Sequence, residues 1–105
     1  MTREQFNAIT DWQNKTFGEG TPESTLFHLV DEIAEVHEAI IFDDEDRRLE
    51  FADCFFLLFC AAARDGMTYD DICAAIDEKF EINKKREWGK PDNNGVVRHI
   101  KNENG

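Results

Sequence analysis

The chain has 105 residues, with 12 Lys and Arg against 23 Asp and Glu, a formal net charge of −11, 41% hydrophobic residues and three cysteines. That length suits one domain whose thin core would gain from a second chain, and a single domain over 1–105 is expected, with 90–105 as an extended C-terminal tail. No apolar run of about 18 residues and no basic segment leading a hydrophobic one is present, so the expectation is a cytoplasmic protein with no membrane partner.

Cys54, Cys60 and Cys73 are odd in number, form no CxxC pair and sit in apolar sequence, as reduced core thiols do. The negative charge excludes a groove for a nucleic-acid polymer, which is attracted by Lys and Arg. It does not exclude a nucleotide delivered with metal ions. The charge is also segregated: Asp31 to Asp53 holds ten acids and two bases, Lys79 to Lys101 seven bases and three acids.

Thr2 with Gln5 reads as a capping box opening a first helix, with Phe6, Ile9 and Trp12 at helical spacing and an end near Lys15. Gly18 and Gly20 interrupt the chain, and Thr21-Pro22-Glu23 opens a second helix as N-cap, first-turn proline and first-turn acid. Leu26, Leu29, Ile33, Val36 and Ile40 are its expected buried stripe. After the acidic turn at Asp43-Asp44-Glu45-Asp46, the run from Leu49 to Ala63 predicts a third helix buried on most sides, ending at Gly66. Thr68 with Asp71 opens a fourth helix, with Ile72, Ile76, Phe80 and Asn83 on one face and an end near Trp88. No strand is predicted, although Asn94-Gly95 suits a brief turn.

Chemistry enters where acids interrupt apolar faces. Glu32 and Glu35, three residues apart, share a face of the second helix, and Glu50 and Asp53 repeat the spacing in the third. Asp53 stands among Phe51, Ala52, Cys54, Phe55 and Phe56, so partial burial is expected of it. Packed antiparallel, the two helices would bring four carboxylates together, which repel unless cations sit between them; hard oxygen ligands in that number suit magnesium or manganese. An EF-hand starting at Asp43 fails, because its glycine position is Arg48 and its bidentate glutamate position is Cys54. On the fourth helix Lys79, Asn83 and Arg86 share a face, followed by Trp88. An ammonium, an amide and a guanidinium together suit phosphate oxygens, though Lys and Arg on a helix face also commonly make surface ion pairs.

Glu32-Ile33-Ala34-Glu35, then Glu50-Phe51-Ala52-Asp53, then Lys79, Asn83, Arg86 and Trp88, resemble the ExxE, ExxD and KxxxNxxRxW signature of the all-α nucleoside triphosphate pyrophosphatases, the MazG-like superfamily. Trp12, Phe17, His28-Leu29, Gly95 and His99-Ile100 resemble in particular its small phage-type dATP/dGTP diphosphohydrolase branch. The resemblance implies a four-to-five-helix all-α bundle completed by oligomerisation, as a homodimer or homotetramer. It implies hydrolysis of a nucleoside triphosphate, for this branch a purine deoxynucleotide, to the monophosphate and pyrophosphate. Glu32, Glu35, Glu50 and Asp53 are then the expected ligands of Mg2+ or Mn2+, and Glu35 or Glu38 the base that takes a proton from water. Lys79, Asn83 and Arg86 would hold phosphates, and Trp88 completes that motif. Trp12 and Phe17 would wall the base or simply pack, and His28 and His99 would serve structure or base contact. Asp31, where a Lys or Glu commonly precedes the first ligand, is the departure from the pattern. A reading from another class is an acidic interaction protein that mimics DNA, which would need its acids exposed in a row.

Overall fold

A computed structural model describes residues 1–101, and they form four helices: α1 (Arg3–Phe17), α2 (Pro22–Ile41), α3 (Arg47–Arg64) and α4 (Tyr69–Lys85). Contacts divide the chain into two compact units, 1–72 and 73–105.

In the first unit the starts of α1, α2 and α4 are set by side-chain caps, whereas α3 begins after Asp46 without one. Oγ1 of Thr2 accepts from the Gln5 amide at 3.1 Å. Thr21 and Ser24 cap each other reciprocally at 3.0 and 3.1 Å, with Pro22 at the first helical position, where a missing N–H costs nothing. Thr68 and Asp71 repeat the reciprocal pattern at 2.9 and 3.2 Å, and these bonds hold the Asp71 carboxyl below its ordinary range. α1 runs two residues past the expected end, to Phe17, where Gly18 leaves the helix with φ 75°. Gly66, with φ 95°, serves the same purpose after α3.

α2 and α3, joined by residues 42–46, pack along each other as a helical hairpin, and α1 lies against α3. Buried positions of the hairpin are Thr25, Val36, Ala39, Leu57, Cys60 and Ala61, with Phe6, Thr10 and Gln13 below them on α1. The stripe expected on α2 is corrected here: Val36 is buried and Leu29 half-buried, whereas Leu26, Ile33 and Ile40 are 44–53% exposed. The reason is that α2 carries two faces. Thr25, Leu29, Glu32, Val36 and Ala39 meet α3, while Leu26, Ile33 and Ile40 lie about 100° further round the helix. α3 likewise is not covered on most sides, because Phe51, Phe55 and Leu58 are 44–56% exposed. They too sit about 100° or more beyond its Leu57 contact line, which in an antiparallel pair is the same side of the hairpin.

In the second unit no residue of α4 is fully buried, and Ile76 and Phe80 of its predicted apolar face are exposed. α4 ends at Lys85 rather than near Trp88. The chain then turns back on itself: Trp88 and His99 form an isolated antiparallel bridge, flanked by bonds from the Gly89 amide to the Arg98 carbonyl (2.8 Å) and from the Ile100 amide to the Glu87 carbonyl (2.7 Å). The turn is built on Asp92, whose carboxylate accepts from the Asn94 and Val96 amides and from Arg98, and on Gly95 at φ 78°. Residues 102–105 of the expected tail lie outside the described residues.

Candidate active site

The hairpin decides where the acids meet. Glu32 and Glu35 are one turn apart on α2 and Glu50 lies near the start of α3, so antiparallel packing brings them level. Carboxylate oxygens of Glu32, Glu35 and Glu50 lie within 4.8 Å of one another. Glu32 and Glu50 are half-buried, and Oε2 of Glu50 is fully enclosed with no hydrogen-bond partner. Burial, reinforced by Glu35 and Asp53, holds the carboxyls of both Glu32 and Glu50 above the usual range. The Lys and Arg ion pairs among the described residues go to Asp70, Asp43, Glu81 and Asp92, none of them in this group. Only His28 approaches, its Nε2 3.4 Å from Oε1 of Glu32. Crowded, partly desolvated carboxylates with an orphaned oxygen and no Lys or Arg ion pair are a donor set that fits a hard divalent cation.

Asp53 corrects the expectation of burial. It is exposed, and it borders the same hollow as Glu32. It raises the pKa of Glu32 and Glu50 through space but stands outside the group of three. Glu38 is exposed and also outside that group. The Cys54 thiol beside them is held protonated, by burial first and then by Glu32 and its neighbours.

Asp53 and Glu32 also border a cavity of about 300 Å³ whose walls include Trp12, Phe17, His28 and Phe56. Trp12 and Phe17 meet edge to face at 5.5 Å, and Phe17 meets His28 in the same way at 6.5 Å. The structure thus gathers three of the expected substrate-binding residues around one hollow. Sequence reasoning missed a fourth, Gln13, which lines the same cavity and is 3% exposed. Its signal was a polar residue in register with Phe6 and Thr10 on the buried face of α1.

In the second unit Asn83 and Arg86 are half-buried and joined at 3.4 Å, Oδ1 accepting from the guanidinium. The Trp88 indole N–H donates to the Asn83 carbonyl at 2.9 Å and its ring meets His99 edge to face at 6.0 Å. His99 is pushed below the ordinary imidazole range by burial, then by Arg86, Lys101 and Lys79. Lys79, Arg86 and Lys101 thus each act on this imidazole through space as positive charges, a local field that favours an anion.

Two helices of a bundle that aim carboxylates at one point, beside an aromatic hollow, define an all-α divalent-metal site. The chain belongs to the dATP/dGTP pyrophosphohydrolase family, whose model matches residues 5–105. It is 34% identical over 92 residues to the dATP/dGTP diphosphohydrolase of cyanophage S-2L, covering 88% of this chain and 81% of that one. It is 39% identical over 91 residues to the Eaa protein of Salmonella phage P22 and 32% identical over 92 residues to a dATP/dGTP diphosphohydrolase of Salmonella phage PMBT28. It spans only 27% and 29% of the length of those two proteins. Among solved structures, a cyanophage S-2L MazG-like pyrophosphohydrolase bound to dGDP and three catalytic Mn2+ ions per active site resembles it, with a TM-score of 0.75 and 32% identity over 96% of this chain and 99% of that one.

Proposed function

We infer that the protein hydrolyses a purine deoxynucleoside triphosphate, dATP or dGTP, to the monophosphate and pyrophosphate, with Mg2+ or Mn2+ as cofactor. The observation that carries this reading is the set of three carboxylates within 4.8 Å on the α2–α3 hairpin, without a Lys or Arg ion pair, in a chain of this family.

Glu32, Glu35 and Glu50 would hold the metal, with Asp53 completing the set from the exposed side. A divalent cation bound there supplies charge neutralisation, a water of lowered pKa and polarisation of phosphoryl oxygens. Glu35, the exposed member of the three, takes the proton of the water that attacks the α-phosphorus; Glu38 is the weaker candidate because it stands outside the group. Lys79 and Arg86 hold phosphate oxygens and stabilise charge on the departing pyrophosphate, while Asn83 and Trp88 fix the Arg86 fork by the bonds already described. Trp12 and Phe17 wall the base, with His28 at their edge.

The active form is a homodimer or homotetramer. Leu26, Val30 and Ile33 on α2, with Phe51, Phe55 and Leu58 on α3, form an apolar surface on one side of the hairpin, and contiguous exposed apolar area of this kind is normally covered. A second copy does so by self-complementarity. None of the helices among the described residues is long and apolar enough to cross a membrane, and a supply of nucleoside triphosphates and divalent cations fits work in a cytoplasm, that of a bacterial host if the chain is phage-encoded. The DNA-mimic alternative draws no support, since Glu32 and Glu50 converge half-buried rather than lining an exposed row. Incubation with Mg2+ and a panel of nucleoside triphosphates, with pyrophosphate as the readout, tests the proposal; absence of pyrophosphate release from every nucleotide would refute it.

A further inference from the structure

Among the described residues two buried side-chain oxygens have no hydrogen-bond partner: Oε2 of Glu50, which belongs to the carboxylate group described above, and Oε1 of Gln13, which does not. Thr10 donates to the Phe6 carbonyl at 3.1 Å, and Thr25 donates to the Thr21 carbonyl at 2.9 Å while accepting from Arg64. Gln13 is as deeply buried as these, yet its Oε1 has no hydrogen-bond partner. An orphaned buried amide oxygen is destabilising, so its retention calls for a group that arrives from elsewhere.

The position of Gln13 says what that group is. The residue lines the cavity of about 300 Å³ together with Trp12, Phe17, His28 and the two acids Glu32 and Asp53. Aromatic walls suit a flat, stackable body, and an amide offers both acceptor and donor atoms toward its edge. A nucleotide whose phosphates are drawn to cations at the carboxylates leaves its base to these walls. Purine position 6 bears an amino donor in adenine and an oxo acceptor in guanine. Half a turn about the last side-chain torsion of Gln13 exchanges its oxygen for its NH2, so one residue meets either group in the same place.

The geometry points to Gln13 as the residue that reads position 6 of the purine, accepting from the 6-amino group of dATP and donating to the 6-oxo group of dGTP through the two rotamers of its amide. This assignment rests on the nucleotide hydrolysis inferred above. It makes one buried side chain the reason that a single cavity takes both purines.

The test compares three substrates, dATP, dGTP and the deoxynucleoside triphosphate of unsubstituted purine, which has neither group at position 6. The unmodified protein should prefer dATP and dGTP over the unsubstituted purine by roughly ten- to hundredfold in kcat/KM, the loss of one hydrogen bond in a buried site. Gln13→Met keeps the length and volume of the side chain without its polar atoms. It should bring that ratio down toward one, mainly through KM, with an unchanged or higher Tm because the orphaned oxygen is gone. A merely structural glutamine would instead lower Tm and depress all three substrates alike. Equal use of the three substrates by the unmodified protein would overturn the assignment while leaving the hydrolase reading intact, and this arm needs no variant to fold. Turnover of none of them would sink the hydrolase reading and the assignment with it.

Discussion

Arg64, the last residue of α3, ties together the three elements around the aromatic hollow. Its guanidinium donates to Oδ1 of Asn14 on α1 (3.3 Å), to Oγ1 of Thr25 on α2 (2.7 Å) and to the Gly18 carbonyl between them (2.7 Å). The Thr25 bond is partly buried and the other two are exposed, so Arg64→Ala should cost about 2–3 kcal/mol, mostly from the buried bond. For a domain of this size that lowers Tm by roughly 10–20 °C. Gly20 provides an independent handle on the same tie. A Cβ there would overlap Nη1 of Arg64, whereas its next contact is Oγ of Ser24 at 3.0 Å. Gly20 is not among the positive-φ glycines, so alanine is acceptable to the backbone. Gly20→Ala must therefore drive the guanidinium off Thr25 and cost about as much as losing that bond, about 1–2 kcal/mol. In an Arg64→Ala background it should cost only a few tenths of a kcal/mol. Denaturant unfolding of the four proteins at one fixed concentration gives the coupling energy directly. A Gly20→Ala penalty that is the same in both backgrounds would refute the account of the tie.

Three further outcomes are expected. Glu50→Gln removes the charge whose Oε2 is enclosed without a partner, so the metal-free protein should melt no lower than the unmodified one while stabilisation by Mg2+ or Mn2+ and turnover are lost; thermal unfolding with and without metal decides, and a large drop in metal-free Tm would show a structural carboxylate instead. Asp92 is held below its ordinary pKa by Arg98 first and then by the Val96 and Asn94 amides, so its contribution to stability is fully present above the unfolded carboxylate range and is lost as pH falls through the lower folded value. Asp92→Asn should then destabilise the protein at pH 7 and converge with the unmodified protein in strong acid, and a difference that persists in acid contradicts the assignment. Light scattering after size exclusion should find at least a dimer, and a stable, active species near the 12.2 kDa chain mass at micromolar concentration would contradict the second-copy cover for α2 and α3.

The sequence was most legible where chemistry is local. Capping at Thr2, Thr21 and Thr68 depends on residues three positions apart, and the structure has all three caps. The ExxE and ExxD spacings placed acids on helix faces because helical geometry is local too, and a short connection left little choice but a hairpin. What could not be read was which apolar face meets which neighbour. α2 offers Leu26, Ile33 and Ile40 as plausibly as Thr25, Val36 and Ala39, and small residues won the contact with α3 because they allow the helices to approach closely. The same ambiguity misjudged Asp53, whose apolar sequence neighbours point around the helix in other directions and leave it exposed. Gln13 escaped because the apolar residues Phe6, Ile9 and Trp12 drew the expected face of α1, whereas the face that is buried runs through Phe6, Thr10 and Gln13, two of them polar.

Hydrolysis of dGTP in 18O-labelled water with Mg2+, followed by mass spectrometry of the products, tests the central claim most directly. Carboxylates that activate water beside the α-phosphorus, with pyrophosphate as the leaving group, predict dGMP and pyrophosphate as the primary products and the heavy oxygen in dGMP alone. Label in the pyrophosphate, or dGDP with orthophosphate as the first products, would contradict it.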